Sequence, residues 1–159
     1  MATKVSAGLL LFRQTPSGVE VLLAHPGGPF FKNKDDGAWT IPKGVAAADE
    51  DLLQRALIEF EEELGVKPPA GDPTSIGSVT QKGGKLVHAW AIEGDLPEKF
   101  EPRSNTFDLE WPPRSGKMQS FPEVDRVQFF SLEEAAEKIN TAQREFLDRL
   151  EQLIRRGEL

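Results

Sequence analysis

Residues 44–66 read GVAAADEDLLQRALIEFEEELGV. Glu59, Glu62 and Glu63 stand three and four positions apart within it. On a helix turning about 100° per residue, with Glu59 at zero, Glu63 lies near +40° and Glu62 near −60°. Leu53, Ala56, Leu57, Phe60 and Leu64 fall between about +60° and +160°. The spacing therefore predicts an amphipathic helix, from about Asp49 to Leu64, with an acidic stripe beside its apolar face. Asp49 is placed to cap the start, Asp51 favours the first turn, and Gly65 suits a left-handed cap at the end. Like charges packed on one face repel. Such a cluster is either well solvated or holds a cation, and hard oxygen ligands suit Mg²⁺ or Mn²⁺.

The flanks narrow that choice. Gly44, Glu50, Glu59, Phe60, Glu62, Glu63, Gly65 and Val66 fill eight of the nine defined positions of G-x5-E-x7-R-E-U-x-E-E-x-G-U, where U is a bulky apolar residue. This resembles the Nudix box, the signature of the Nudix hydrolase family. The departure is Ile58, which stands where the pattern has the arginine that orients the carboxylates. Arg55 falls near −40°, on the acidic stripe itself. It reads either as an exposed helix former or as the residue that takes over part of that role.

The rest of the chain bounds the reading. Its 159 residues suit one domain, 1–159, with one sizeable core. There is no cysteine, hence no disulfide, thiolate metal site or cysteine nucleophile. That is compatible with the cytoplasm, the expected location. The opening MATKVSAGLLLFRQ has an apolar run too short to span a bilayer and lacks the pattern of a signal peptide. A net charge of −7 argues against a nucleic-acid partner, which needs a basic footprint. A phosphorylated small molecule remains compatible, because a bound cation inverts the local field. Oligomeric state has no signal in the sequence.

Strands are expected at 5–13, nearly all apolar and so buried on both faces, and at 19–25 across a turn at Thr15-Pro16-Ser17-Gly18. A short strand is expected at 38–41. Two more, at 75–81 and 85–93, flank Gly83-Gly84 as a hairpin. Residues 94–122 read as irregular apart from a short strand near 106–111. A last strand at 126–130 leads into a helix capped by Ser131 and a final helix at about 141–155. The class is α/β. The resemblance implies a Nudix-like α/β/α sandwich around a mixed β-sheet.

It also implies roles. Glu59, Glu62 and Glu63 would hold Mg²⁺ or Mn²⁺ together with the backbone carbonyl of Gly44, with Glu50 behind them or as an occasional ligand. One glutamate would orient or deprotonate the attacking water, and the sequence does not choose which. Many Nudix enzymes carry a further carboxylate before a late strand; Glu123 is the candidate and Asp125 the alternative. Lys43 is placed to meet a phosphate as a point charge. The run Trp39-Thr40-Ile41-Pro42-Lys43-Gly44 looks like a segment of the dinucleoside polyphosphate and diphosphoinositol polyphosphate branches.

Lys82, Lys85, Arg103, Arg114 and Lys117 are further phosphate candidates on turns, each also readable as plain surface. His25 and His88 do not pair by spacing, and His88 reads as a structural histidine. Trp39, Trp90 and Trp111 offer rings that stack bases. Trp90 reads as core, and Trp111, beside Pro112-Pro113, as substrate-facing.

Two functions follow. The first is a metal-dependent hydrolase of a phosphoanhydride in a nucleoside diphosphate linked to another group, with a dinucleoside polyphosphate or nucleoside triphosphate leading. The second, favoured by Ile58, is a Nudix-fold module that binds a nucleotide or regulates without cleaving. RNA decapping is disfavoured by the acidic balance.

Overall fold

A computed structural model describes residues 4–159; the first three residues of the opening stretch lie outside that range. The chain runs through β1 (Val5–Thr15), β2 (Gly18–Pro26), β3 (Lys43–Val45), α1 (Leu52–Leu64), β4 (Thr74–Thr80), β5 (Leu86–Glu93), β6 (Thr106–Glu110), β7 (Met118–Pro122), β8 (Val124–Ser131), α2 (Leu132–Lys138), a 3₁₀ turn (Thr141–Gln143) and α3 (Arg144–Arg155). Five strands line up as β4-β5-β1-β2-β8, and β3 pairs with the start of β1. β1 and β5 run parallel while the other pairs are antiparallel, so the sheet is mixed.

β1 is central because every residue from Ala7 to Phe12 can be buried. Its side chains alternate between two cores. Ala7, Leu9 and Leu11, with Leu22 of β2, meet Ala56, Phe60 and Leu64 of α1. Leu10 and Phe12 point the other way, toward Ala135 of α2 and Phe146, Leu147 and Leu150 of α3. This is the expected α/β/α sandwich. No helix among the described residues is long and apolar enough to cross a membrane.

Three local expectations are corrected. Residues 38–41 do not form a strand. The Thr40 amide bonds the Ala24 carbonyl, while the Trp39 amide bonds Lys138 at the end of α2. Splitting its hydrogen bonds between two elements, and lacking an N–H at Pro42, the segment cannot run a ladder. The strand comes later, at Lys43–Val45, where Gly44 faces Ala7.

The start of α1 is capped by Asp51, whose side chain accepts the Gln54 N–H at 3.0 Å, not by Asp49. The residues before it form a loop around Glu50, described below. Residues 94–122 also contain β7, which pairs with β6 in a separate two-stranded sheet. MQSFP lacks apolar alternation because this hairpin is largely solvated, so periodicity does not reveal it.

Gln143, fully buried, fixes the segment that leads to the site. Its Oε1 accepts the Ile41 N–H at 3.1 Å, and its Nε2 donates to Gln81 at 2.8 Å. Gln143→Leu leaves a buried N–H without a partner. It should cost roughly 1–3 kcal/mol in chemical denaturation; a neutral change would show that the network contributes nothing.

Candidate active site

The α1 helix buries Ala56, Phe60 and Leu64, which turns Glu59, Glu62 and Glu63 toward β3 and the segment around Glu123. Gly65, at φ 79°, ends the helix in the left-handed conformation, its N–H on the Glu61 carbonyl at 2.7 Å. Gly44 is needed for a different reason. A Cβ built on it would overlap the Glu59 carboxylate, so only glycine lets that carboxylate lie against the β3 backbone. The neighbouring Lys43 N–H donates to Glu63 Oε1 at 3.2 Å.

A second set of contacts holds the acids from the helix side. Arg55 Nε lies 2.9 Å from both oxygens of Glu50, and its Nη2 lies 2.7 Å from Oε2. Its Nη1 reaches Glu59 Oε1 at 3.1 Å. Glu50 also accepts the Ala47 N–H at 3.0 Å, which ties the loop to the helix. Ile58 is 39% exposed and faces a groove with Leu53, Leu57, Pro68 and Pro69, away from the carboxylates.

Glu123 arrives from the other direction. Asn105 donates its N–H to the Glu62 carbonyl at 3.0 Å and accepts the Glu123 N–H at 2.9 Å, pinning the entry to β8 beside α1. Asp125, the alternative, is engaged elsewhere: its Oδ1 is 2.8 Å from Nδ1 of the buried His25, whose Nε2 meets the Lys34 carbonyl at 2.7 Å. This clamp between β2, β8 and residues 27–37 joins positions 100 residues apart and leaves no local signal in the sequence. Nor does Asn105.

The electrostatics follow from burial first and from crowding second. Burial, then the charge of Glu59, push the Glu63 carboxyl up to about 8. Glu59 is raised by burial, although the Arg55 hydrogen bond opposes this, and by Glu62 and Glu123. Glu123 is raised by burial and by Glu62. Glu50 goes down because Arg55 bonds it. Burial lowers Lys43, Glu63 pulls it back up, and the charge of Lys85 lowers it again.

Four carboxylates thus feel one another with Arg55 and Lys43 as the compensating cations, and their hard oxygens suit a divalent cation. Among the described residues, no three acids converge as a ready ligand set in this arrangement. Glu59 leans on Arg55 and Gly44, and Glu63 on the Lys43 amide.

The remaining candidates divide. Lys85 is exposed but close enough to act on Lys43, whereas Lys82 stands at the β4–β5 turn with no side-chain partner among the described residues. Trp111 lies at the far end of β6 against Phe30. Trp39 is corrected as a stacking candidate. It is buried, edge-on to His25 and Phe130, with Nε1 on Asp35 at 2.8 Å. Trp90 is half-buried and stacks on His88, whose Nε2 lies 2.9 Å from the Ser75 hydroxyl.

The sequence profile of the NUDIX domain matches residues 2–150. The chain belongs to the Nudix family. The Nudix fold is shared with solved structures of low identity. A binary complex of the C. elegans Ap4A hydrolase superposes with a TM-score of 0.66 at 21% identity, over 94% of this chain and 98% of that one. The NUDIX domain of Shewanella oneidensis NrtR, complexed with ADP ribose, gives 0.64 at 16%, over 97% and 90%. A mutT/nudix family protein from Listeria innocua gives 0.63 at 16%, over 99% and 98%. Comparison with curated proteins returned no significant match.

Two measurements probe the Nudix site. Gly44→Ala should push the Glu59 carboxylate aside and lower turnover by about 10- to 100-fold with little change in melting temperature; an unchanged rate would remove the significance of that contact. In chelator, folded Glu63 keeps its proton up to about 8 while the unfolded chain loses it near 4.5. The folded state therefore binds more protons in that window, and stability must fall as pH rises through it. Melting curves should show that decline, and Glu63→Gln should flatten it.

Proposed function

We propose that this Nudix hydrolase cleaves a phosphoanhydride in a nucleoside diphosphate linked to another group, a dinucleoside polyphosphate or a nucleoside triphosphate, with Mg²⁺ or Mn²⁺. The observation that carries the reading is that Glu59 lies against the Gly44 backbone and Glu63 accepts the Lys43 N–H, with Glu62 and Glu123 near enough for their charges to act on Glu59. An acid cluster alone repels a polyphosphate, so a cation between the two makes sense of both. Glu59, Glu62 and Glu63, with the Gly44 carbonyl, would hold it. A bound divalent cation supplies neutralisation of phosphate oxygens and a more acidic water.

The chain's own residues do the rest. Lys43, with Lys85 behind it, draws the phosphates in as a point charge. Lys82 and Trp111 extend the substrate-binding surface outward. Glu123, exposed and outside the helix, takes the proton of the attacking water on its carboxylate; Glu59, Glu62 and Glu63 are the other groups able to do so. Arg55 fills the place left by Ile58, holding Glu50 with a forked hydrogen bond and Glu59 with a single one, so that the acids keep their geometry. We read residues 1–159 as one catalytic unit.

The presence of Ile58 favours a second reading, a module that binds a nucleotide without cleaving it. One panel separates the two: nucleoside triphosphates, diadenosine polyphosphates, ADP-ribose and diphosphoinositol polyphosphates, each with Mg²⁺ or Mn²⁺ and product identification. Turnover is expected on the first two classes. Glu62→Gln and Glu63→Gln should each cut the rate by about 10²-fold or more, and Arg55→Ala by about 10- to 100-fold. Nucleotide binding with no turnover on any compound supports the second reading instead. Full activity in Arg55→Ala would return Arg55 to the role of a surface helix former.

A further inference from the structure

Two partly exposed aromatic rings meet where the loop 27–37 packs on the β6–β7 hairpin that leads to Glu123. Phe30, from the loop 27–37, is 59% exposed, and its neighbour Phe31 is 36% exposed. Phe30 and the half-buried Trp111 at the end of β6 pack edge to face, with centroids 5.5 Å apart and planes at 80°. Trp111 is fixed in the β6–β7 turn. Its N–H donates to the Lys117 carbonyl at 3.0 Å, and its own carbonyl accepts from Gln119 Nε2 at 2.7 Å.

The same two segments are joined at their other end. The Gly27 N–H donates to the Glu123 carbonyl at 3.0 Å, and the absent side chain of Gly28 leaves room for the Phe107 ring. Loop and hairpin therefore form one arm, rooted at Asn105 and Glu123 beside the acid cluster and closed at its tip by Phe30 and Trp111. Trp111 stands five positions beyond Thr106 along the strand direction, roughly 17 Å from the root.

Rings held in water without a core to join are costly. These two form a rigid corner that offers one ring face and one ring edge, the geometry that receives a planar aromatic group. The apolar patch beyond them is small, Phe31 and Met118, and the same segments expose Lys32, Lys34, Arg114 and Lys117. Of the nearby acids, Asp35 and Asp36 are held by Lys138, at 2.6 and 3.0 Å, Glu110 accepts the Arg114 N–H at 2.8 Å, and Asp108 is exposed. An aromatic pair with exposed lysine and arginine on the same segments matches an anionic ligand with a π-face, which a nucleotide is and an inositol phosphate is not.

We propose that Phe30 and Trp111 form a stacking site for a nucleobase of the substrate, at the end remote from the acid cluster. The substrate class narrows to an elongated nucleotide with an aromatic base, and base-free diphosphates are disfavoured. The word substrate rests on the hydrolase reading; the binding site does not.

The test uses binding alone, in chelator, so no turnover is needed. The chain has three tryptophans, hence three indole N–H resonances. Trp111 is assigned through Trp111→Phe, and buried Trp39 serves as the internal control. AMP at up to millimolar concentration should shift the Trp111 indole and leave Trp39 in place, while ribose 5-phosphate should move neither. Phe30→Ala removes an exposed ring and should keep its melting temperature; AMP affinity should drop about 5- to 150-fold. Trp111→Phe, which keeps a ring, should lose less.

An unmoved Trp111 indole, or an equal response to ribose 5-phosphate, overturns the proposal. So does sedimentation showing a dimer that Phe30→Ala dissociates, because the patch is then a self-association surface. AMP stacking without turnover on the substrate panel would sink only the hydrolase reading. Turnover without stacking would sink only this one.

Discussion

Mutual repulsion among Glu59, Glu62, Glu63 and Glu123 is the constraint around which this Nudix chain is organised. An isolated helix would spread such charges into water. Here α1 must bury Ala56, Phe60 and Leu64 against β1, and that rotation leaves the acid stripe no choice but to face β3 and the entry to β8. The hydrophobic core supplies the force that holds the carboxylates together, and burial first, then their mutual charge, raises the proton affinity of Glu63, Glu59 and Glu123.

Each supporting contact answers that strain. Gly44 omits a side chain so that Glu59 lies on backbone, and Lys43 lends Glu63 an amide N–H. Arg55 spans Glu50 and Glu59 from the helix side, while Ile58 faces away from the carboxylates. Asn105 stitches the Glu123 strand to the helix through backbone groups alone. None of these contacts removes the charge imbalance.

The arm made of residues 27–37 and the β6–β7 hairpin has a different origin. It belongs to neither hydrophobic core and is held by His25, Asp125, the Gly27 amide and the packing of Phe107 on Gly28. Such an arm can vary without disturbing the sandwich.

Local sequence determined much of this molecule. The rotation angles of residues 53 to 64 predicted both the buried face of α1 and the acid stripe, because helical periodicity is a property of the backbone. The continuous apolar run of β1 predicted burial on both faces. Spacing from Gly44 to Val66 carried the family, and the offset of four from Arg55 to Glu59 made their contact readable in advance. Tertiary structure alone decided what depends on distant partners. Asp125 is engaged away from the acid cluster because His25 claims it from 100 residues away. Trp39 is core rather than a base platform because Phe130 and His25 close over it, and β7 exists because β6 supplies its hydrogen bonds. In each case the deciding interaction joins residues whose separation along the chain carries no periodicity, and only folding brings them within reach.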